Sequence, residues 1–600
     1  MEKPPRSGRK IIRGNKMNSK EIVESYLKLK DWRVKENSNR PFSFGAMNSY
    51  ISGEVAKDYW LREIYPQYIA DAYVDGHIHI HDLGCLSLYC CGYSLKEILK
   101  KGVRGVPNIP VSAPAKHFDS VLNQIANLVT VYQNEIAGAV AFNSFDTLLA
   151  PFIKADGLSY GQVMQNMQNF IYSVNSNSRA GAEPAFSNIT FDLTPPEDLL
   201  DQKVIIGGKK ADFTYRDCQK EMDMLNRAFC EIMLQGDANG KLFAYPIPTY
   251  NIHKRFDWDN PNNDLLWEMA GKFGLPYFAN FINSDMEIGD VRSMCCRLRL
   301  DLRELRKKNG GLFGAGDATG SIGVVTINLP RLGYEHKGDR EGFFKALRHY
   351  LDIAKDSLEI KRKWLQENIL DTNAIPAFME YVGTIDNHFS VIGEVGVNEM
   401  CENFMGKNIL DSEAHEFAHE VHEFILEALK DYQEETGNLY AFEATPAEGT
   451  CYRFAMKDKS IYSDIITQGN GGDPYYTNSC HIPVKLIESI DKTFKHQEDL
   501  QIQFNSGTVI HIYLEGAITG EQAKAIIYNV CHNYKVPYVS LSPISRYCDE
   551  HGYIKENADN CPICGKKLKK YQRITGYLRC VDNFNNGKAA EFRDRKQIKI

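Results

Sequence analysis

The chain of 600 residues has no apolar run that approaches the roughly 18 residues needed to suggest a membrane span. Its N-terminal stretch MEKPPRSGRKIIRGNK is basic but has no apolar segment of the kind that a secretory signal carries. Neither sign of charge dominates, because the formal net charge is -7 and the pI is about 6.2. This balance argues against a general nucleic-acid or membrane-surface binder. A cytoplasmic location is therefore expected, with residues 1–30 as an N-terminal tail.

The sequence also lacks the compact size at which 15 cysteines would predict a disulfide framework, because they are spread over 600 residues. Some are expected to be buried small hydrophobic residues, some metal ligands, and one or two reactive thiols. Two adjacent pairs stand out, Cys90–Cys91 and Cys295–Cys296. Each pair taken alone is typical of buried packing, although Arg297 beside the second pair could stabilise a thiolate or bind phosphate.

With no internal repeat and no low-complexity linker, the chain indicates one large mixed α/β body with a small C-terminal appendage. Apolar residues at spacings of three and four predict a helix over residues 412–436, which Gly437 can end. Short apolar runs predict strands around residues 324–327 and 509–514. Helices between such strands suggest a sheet covered by helices. Periodicity does not decide whether that sheet closes into a barrel.

After Pro543 the sequence becomes polar and rich in Cys, Gly and Lys, so residues 545–570 cannot build a sizeable core. Two knuckles in this segment supply four metal ligands, which are Cys548, His551, Cys561 and Cys564. Thiolate and imidazole ligands suit tetrahedral zinc. Because protein occupies all four positions, the zinc is predicted to be structural, and its binding can supply folding free energy that the small core does not. A reduced cysteine-rich loop is the alternative.

Two histidine-rich motifs could also bind metal. HEFAH at residues 415–419 matches the H-E-x-x-H pattern of zinc metalloproteases, and His422 extends it along the same helix. No clear third ligand follows downstream, so a solvated or helix-packing face is favoured over a catalytic zinc. HIHIH at residues 77–81 alternates like a strand and places three histidines on one face, where hydrogen bonding is favoured over metal or phosphate binding.

The C-terminal stretch RITGYLRCVDNFNNGKAAEFRDR contains Asn585, Asn586 and Gly587, which by themselves are typical of a hairpin turn. Glycine has a second property that matters here. A radical at its Cα is stabilised by the amide nitrogen on one side and the carbonyl on the other when the centre is planar. A side chain would hinder that planarity, so glycine is suited to carry such a radical.

Blocks along most of the chain resemble the anaerobic (class III) ribonucleotide reductases, which are glycyl radical enzymes. The blocks are DWRVKENSN, HIHDLG, FANFINSD, SMCCRLRLD, GSIGVVTINLPR, EATPAEGT and YYTNS, followed by the zinc knuckles and the RxxGYL…NxGK stretch. They stand in that family's order, and the ordered set is far more specific than any single block. The resemblance covers about residue 31 to the end.

The resemblance implies an α/β fold, a ten-stranded α/β barrel of the glycyl radical enzyme type, over residues 31–544. A zinc-binding domain at 545–570 and a glycyl radical loop at 571–600 would follow. Two loops are expected to meet inside the barrel, one with the radical glycine and the other with a thiyl cysteine. Residues 1–30 are too few for the ATP-binding domain of many relatives, since a domain needs about 50 residues. No complete ATP-cone is therefore expected there, which puts overall control by ATP and dATP in doubt.

By motif, the resemblance makes Gly587 the radical residue and Cys296, which directly precedes Arg297, the thiyl residue. Cys90 matches the family's second active-site cysteine, with Cys91 as the alternative. Three further residues are expected at the substrate, namely Thr445, Glu448 and Asn478.

The implied chemistry begins when a radical-SAM activase removes a hydrogen from Gly587. The glycyl radical generates a thiyl radical at Cys296, which takes the 3′ hydrogen of a ribonucleotide, expected to be a triphosphate. A radical at C3′ makes the 2′ hydroxyl easier to lose as water after protonation, and Cys90 is expected to donate the proton and hydrogen. The product is a 2′-deoxyribonucleotide for DNA synthesis and repair.

The implied partners are the activase, dNTP and ATP effectors, and a second copy of the chain in a homodimer. The reductant would be formate or a thioredoxin-like dithiol protein. Formate-using relatives have Asn where Ser321 stands, which favours the dithiol protein.

Three alternatives stay open. A glycyl radical lyase or dehydratase would share the glycine loop, but would not be expected to carry the zinc knuckles or the Cys-Cys-Arg block. A metalloprotease depends on HEFAH alone. A zinc-knuckle binding module would leave most of the chain without a role.

Overall fold

The computed structural model describes residues 18–29, 42–181, 183–283, 291–293, 299–301, 318–469 and 472–600, with the backbone alone for residues 291–293 and 299–301. The predicted thiyl residue Cys296 and its neighbour Cys295 lie outside the described residues.

The strands are β1 Ile78–Ile80, β2 Cys90–Tyr93, β3 Val140–Phe142, β4 Ser187–Phe191, β5 Lys203–Ile206, β6 Lys209–Thr214, β7 Ile247–Ile252, β8 Tyr277–Asn280, β9 Val291–Ser293, β10 Arg299–Asp301, β11 Thr319–Asn328, β12 His388–Val395, β13 Leu439–Glu443, β14 Ile510–Leu514, β15 Tyr538–Pro543, β16 Ser545–Cys548, β17 Gly552–Ile554, β18 Lys569–Arg573 and β19 Leu578–Cys580. The helices are α1 Ser19–Leu27, α2 Phe44–Tyr59, α3 Gln67–Asp75, α4 Leu95–Lys101, α5 Phe118–Glu135, α6 Phe145–Asp156, α7 Tyr160–Val174, α8 Glu197–Leu200, α9 Gln219–Gln235, α10 Asp264–Phe273, α11 Leu329–Glu335, α12 Arg340–Leu365, α13 Pro376–Tyr381, α14 Val397–Met405, α15 Ser412–Thr436, α16 Glu448–Ile461, α17 Ile490–Gln501, α18 Gly520–Asn533 and α19 Asn586–Asp594.

One large sheet organises the molecule. Its strands follow the order β13-β12-β11-β2-β3-β4-β7-β8-β15-β14, and β1 pairs with β11 beside this path. The two ends of the path are joined by a parallel bridge between Glu443 and Gly507, with the Ala444 N–H donating to the Gly507 carbonyl at 2.7 Å. The sheet therefore closes into a barrel of ten strands, which removes the exposed edges of an open sheet.

The barrel consists of two parallel halves. Strands β2, β3, β4, β7 and β8 run parallel to their neighbours, and so do β11, β12 and β13 and the pair β14 and β15. The halves meet in antiparallel pairings, β11 with β2 and β15 with β8. The mixed α/β fold class predicted from the sequence is confirmed.

Side chains alternate between the two faces of the barrel strands, as strand geometry requires. Val140 and Phe142 pack outward in a large core with the surrounding helices, whereas Ala141 belongs to a small cluster on the inner face. On the opposite side Tyr277 and Ala279 face inward. The small inward cluster consists of Cys90, Ala139, Ala141, Val324, Phe389, Val391, Leu439 and Ala441.

The local predictions have mixed outcomes. The predicted helix over residues 412–436 is α15, and it ends at Gly437, whose φ of 71° suits a residue without a Cβ. The predicted strands correspond to β11 and β14. The hairpin turn that Asn585 and Gly587 suggest is wrong, because the Asn585 side chain accepts from the Lys588 N–H and caps helix α19 instead.

A smaller sheet of order β17-β16-β18-β19 follows the barrel. Its own core contains Cys548, Ile554, Cys561 and Leu568. The chain then passes through Gly576 and Tyr577 to β19 and α19. Among the helices of the described ranges, none combines the length and the apolar composition that crossing a membrane requires.

Candidate active site and zinc centre

The two adjacent cysteines of β2 face opposite sides of the barrel. Cys90 is 1% exposed and lies in the inner cluster, where its Sγ accepts from the Ala139 N–H at 3.4 Å. Cys91 points outward into the core between sheet and helices, together with Tyr93. Burial raises the pKa of the Cys91 thiol, which disfavours a thiolate there.

The residue directly opposite Cys90 in the antiparallel pair of β2 and β11 is Ser321. Opposed residues of such a pair project to the same face, so Ser321 lies on the inner face beside Cys90. Its hydroxyl donates to the Gly323 carbonyl at 3.1 Å, where the register of β11 shifts by a bulge.

A polar group on the inner face continues along β11. The Thr326 hydroxyl donates to the Thr445 hydroxyl at 3.3 Å and lies 2.8 Å from Nε2 of His81. Burial lowers the pKa of His81 to about 3, so its imidazole is neutral at physiological pH. Nδ1 of His79 lies 3.3 Å from the Arg453 guanidinium, which supports the predicted hydrogen-bonded histidine face.

Gly587 is buried in the first turn of α19, against α16. A Cβ built on it would lie 2.7 Å from the Cβ of Tyr452 and 2.9 Å from its Cδ2. Such contacts are too short, and the first is to an atom fixed to the backbone of α16. The space over the Cα of Gly587 is therefore closed by Tyr452.

Glu448 links the C-terminal loop to α16. Its carboxylate accepts from the Tyr577 hydroxyl at 2.8 Å, and its carbonyl accepts from the Asn585 side chain at 3.3 Å. Burial raises the pKa of Glu448, while Tyr577 and the charge of Lys588 act in the opposite direction. Glu448 thus holds residues on both sides of β19 against the start of α16.

Asn478 contacts α19 one turn after Gly587. Its amide donates to Glu591 at 3.3 Å, and its carbonyl oxygen accepts from the Cys451 thiol at 3.5 Å. Glu591 is fully paired, with Lys588 at 2.5 Å and Arg595 at 2.8 Å. A cavity beside this network is lined by Asn478, Glu591, His511 and Tyr513, among others.

The four predicted zinc ligands converge. Their ligand atoms all lie within 4.8 Å of one another. The Sγ of Cys548 is 3.5 Å from Nδ1 of His551 and 3.6 Å from the Sγ of Cys564, and the Sγ of Cys561 is 3.6 Å from the same imidazole nitrogen. The Glu550 N–H lowers the pKa of Cys548, which favours the thiolate. The donor set and spacing fit tetrahedral zinc.

The two HEFAH histidines meet Asp499 of α17, and the ligand atoms of His415, His419 and Asp499 all lie within 4.8 Å of one another, so the third ligand that the sequence did not show is present here. Nε2 of His415 and of His419 both lie 2.8 Å from one carboxylate oxygen of Asp499, at the packing of α15 against α17. This arrangement fits the favoured interpretation of a helix-packing face. His422 differs from both, because it is fully buried and turns toward Glu394 of β12.

Several residues of the site escaped prediction from the sequence. Tyr452 and Cys451 directly follow the EATPAEGT block, and Tyr577 lies in the GYL stretch, but nothing local marks them as neighbours of Gly587. The network of Lys588, Glu591 and Arg595 has helical i, i+3 and i+4 spacing, a signal that usually denotes an exposed face.

Comparison with known proteins decides the family. A family model described as anaerobic ribonucleoside-triphosphate reductase matches residues 36–597. The chain belongs to this reductase family. It is 24% identical to the anaerobic ribonucleoside-triphosphate reductase of Escherichia coli (strain K12), over 94% of this chain and 83% of that protein. It is also 24% identical to the reductase of Enterobacteria phage T4, over 94% of this chain and 96% of that protein.

The fold of the reductase agrees with a solved structure. The anaerobic ribonucleotide reductase from Thermotoga maritima, in complex with dATP and CTP, matches with a TM-score of 0.74 and 21% identity, over 95% of this chain and 98% of that chain. The chain is accordingly an oxidoreductase, an anaerobic ribonucleoside-triphosphate reductase of the glycyl radical type. The predicted family is confirmed, and the lyase, metalloprotease and binding-module alternatives are not favoured.

Proposed function

We propose that this reductase transfers a radical from Gly587 to Cys296 and uses it to convert ribonucleoside triphosphates to 2′-deoxyribonucleotides. One observation carries the proposal. The C-terminal loop enters the barrel, where the Gly576 carbonyl accepts from the hydroxyl of the inward-facing Tyr277 and Tyr577 packs in the same inner cluster. Gly587 follows in the same C-terminal segment and is itself buried, against Tyr452 of α16, which suits a carbon radical.

The inner face offers the groups that the reaction needs. Cys90 is proposed as the proton and hydrogen donor, because its thiol projects into the barrel. Thr445, Glu448 and Asn478 are proposed to bind the substrate from the side of α16 and α19. The protein's contribution is to hold these groups in position and to exclude water and oxygen.

The proposal extends to partners. A radical-SAM activase would install the radical at Gly587, and the chain would act as a homodimer in the cytoplasm. The Thermotoga maritima reductase was solved with dATP in a specificity site and with dATP and CTP together. Nucleotide substrates and deoxynucleotide effectors are proposed here by similarity. Ser321 lies beside Cys90 at the position where formate-using relatives have Asn. A thioredoxin-like reductant is therefore favoured over formate.

Zinc is proposed to be structural at Cys548, His551, Cys561 and Cys564. All four positions of a tetrahedral ion would be filled by protein, so no position is left for substrate. The sheet of β16 to β19 that holds these ligands leads directly into the glycine loop.

Anaerobic electron paramagnetic resonance after incubation with a radical-SAM activase, S-adenosylmethionine and a reductant tests the radical. The same samples are then assayed for deoxynucleotide formation. The wild type should show a glycyl doublet and turnover. Cys296→Ala should retain the doublet and form no deoxynucleotide, whereas Cys295→Ala, the matched control, should retain both. Substantial turnover by Cys296→Ala would contradict the assignment, and a wild type without a radical would contradict the proposed function.

A further inference from the structure

Three side chains that could bind a metal meet on the outer face of β12, away from the zinc knuckles and the inner face. They are Glu394, His422 of α15 and Cys480, and each is fully buried. Their ligand atoms lie within 4.8 Å of one another, and Oε1 of Glu394 is 3.8 Å from Nε2 of His422. Burying a carboxylate, an imidazole and a thiol away from solvent costs free energy unless these groups are paired or bind a metal.

The imidazole of His422 is oriented for coordination. Its Nδ1 lies 3.0 Å from the side-chain oxygen of Gln503, which can only accept, so Nδ1 carries the proton. The lone pair of Nε2 then points toward Glu394. Nε2 has no hydrogen-bond partner among the described residues, and neither has Oε2 of Glu394. A buried polar atom without a partner indicates an unfilled interaction.

We infer that Glu394, His422 and Cys480 bind a second, structural zinc ion. The Glu394 carboxylate, the imidazole Nε2 and the Cys480 thiolate would give three side-chain ligands of the types that zinc takes. The charges balance, because one carboxylate and one thiolate neutralise a divalent ion beside a neutral imidazole.

Hydrogen bonds around the three ligands fit this assignment. The Ser479 hydroxyl donates to Oε1 of Glu394 at 2.5 Å, and the Gln501 amide donates to the Sγ of Cys480 at 3.4 Å. With the Gln503 contact to His422, each ligand has a partner of the kind that orients metal ligands.

The site would join three parts of the fold. Glu394 belongs to the barrel, His422 to α15, and Cys480 to the segment that carries Asn478 toward Glu591 of α19. A metal there would hold that segment against the barrel. This inference does not depend on the radical chemistry of the proposed function.

Metal analysis of the full-length protein, purified anaerobically without chelator and with zinc in the medium, tests the site. The wild type should contain about two zinc ions per chain, one at each set of ligands. Cys480→Ser and Glu394→Gln should each fall to about one ion. Cys401→Ser is the matched control, because Cys401 is also a buried thiol beside α15, where it donates to the Ala414 carbonyl at 3.5 Å, but it belongs to none of the groups of metal ligands among the described residues. It should retain both ions.

The inference is overturned if the wild type holds only one zinc and Cys561→Ser/Cys564→Ser removes it. That result comes from the wild type and the knuckle variant alone. It can therefore be obtained even if the variants of Glu394 and Cys480 do not fold. Equal zinc content in the wild type, Cys480→Ser and Glu394→Gln would overturn it as well.

Discussion

At the scale of single residues, orientation decides which of two buried cysteines can take part in chemistry. Cys90 and Cys91 are neighbours in sequence and are both almost fully buried. Strand β2 turns them to opposite faces, so one thiol reaches the barrel interior and the other packs under the helices. The local environment, and not exposure, separates a candidate hydrogen donor from a packing residue.

Cys90→Ala and Cys91→Ala should therefore differ sharply. The first should lower deoxynucleotide formation by more than about 100-fold, the scale expected when a positioned proton donor is removed. The second should leave turnover within a few-fold and lower the free energy of unfolding by about 1 kcal/mol. Turnover per glycyl radical and urea unfolding measure the two effects. An inactive Cys91→Ala with an active Cys90→Ala would reverse the assignment.

The sequence alone could not make this distinction. Alternation predicts that Cys90 and Cys91 face opposite sides, but all four residues of β2 are buried, so hydrophobicity does not show which side is the interior. Resemblance to the family selected Cys90. The contacts of Gly587 with Tyr452 and of Asn478 with Glu591 join residues more than 100 positions apart, and no local pattern reports them.

At the scale of elements, helix α14 supports the segment that follows α16. Glu399 of this helix accepts from the Thr477 N–H at 2.9 Å and from its hydroxyl at 2.7 Å. Glu402, one turn later, accepts from Asn398 at 2.9 Å. Burial, together with the charge of Glu399, raises the pKa of Glu402 to about 7. The pair places two carboxyl groups close together where the chain leads to Asn478, and Glu402 is the one whose ionisation is disfavoured.

The raised pKa of Glu402 predicts that stability depends on pH. Its pKa in the folded state lies above the usual value of 4.5, so the folded chain retains a proton that the unfolded chain releases between pH 4.5 and about 7. The contribution of Glu402 therefore makes the free energy of unfolding fall as pH rises through this window. Glu402→Gln should make that fall shallower. The change in slope should correspond to a fraction of one bound proton, and urea unfolding from pH 5 to 8 measures it.

Glu416→Gln, on the exposed face of α15, is the control for Glu402→Gln. It should follow the slope of the wild type, because its side chain is exposed on the surface of the folded chain. Parallel slopes for all three proteins would show that Glu402 does not retain its proton in the folded state.

Loss of zinc from the sheet of β16 to β19 should impair radical formation in the glycine loop. Cys561→Ser/Cys564→Ser should lose the zinc held with Cys548 and His551. The yield of glycyl radical should also fall several-fold, because residues 576–587 follow β18 and include β19 of the same sheet. Metal analysis and the intensity of the glycyl doublet measure both. Cys580→Ser, on β19 but outside the ligand set, should keep its zinc. Full zinc in the double variant would refute the ligand assignment.

Elements with strong periodicity were predictable, and those decided by one side chain were not. Helix α15 has nine buried positions, of which eight are apolar and one is His422, a polar residue that the core accepts. Helix α19 was missed because Asn585 and Gly587 satisfy the sequence rules of a hairpin turn as well as those of a helix start. The Asn585 side chain accepts from the Lys588 N–H and also donates to the Glu448 carbonyl, a contact with α16 that no local pattern predicts.

At the scale of the whole molecule, closure of the barrel creates a protected interior. Neither periodicity nor composition predicts the bridge between Glu443 and Gly507, because strand pairing across the ends of a sheet is a long-range property. The buried position of the glycine loop restricts access for activation. Gly587 is buried against Tyr452, so the proposed activase would have to draw the C-terminal loop out before it could reach the Cα.

Oxygen tests the consequence of this arrangement for the whole enzyme. Dioxygen adds rapidly to carbon radicals, and the resulting peroxyl species decays by breaking the backbone. Activated enzyme exposed to air should therefore be cut at Gly587 and release the tail from Lys588 to Ile600. Unactivated enzyme should remain intact in the same air, which separates radical cleavage from proteolysis of a mobile terminus. Mass spectrometry of the large fragment identifies the site.

Gly587→Ala should give neither the doublet nor the cut, and two causes act together. The methyl group opposes a planar radical centre, and it would also meet Tyr452 at 2.7 Å. The folded state of this variant must therefore be checked by circular dichroism and zinc content, since α19 has to shift to accept it. Gly576→Ala is the informative partner, because Gly576 also lies in the loop. A cut that maps to Gly576 in the activated wild type would move the radical to that residue. If a competent activase produces the doublet in a folded Gly587→Ala variant, the assignment of Gly587 fails outright.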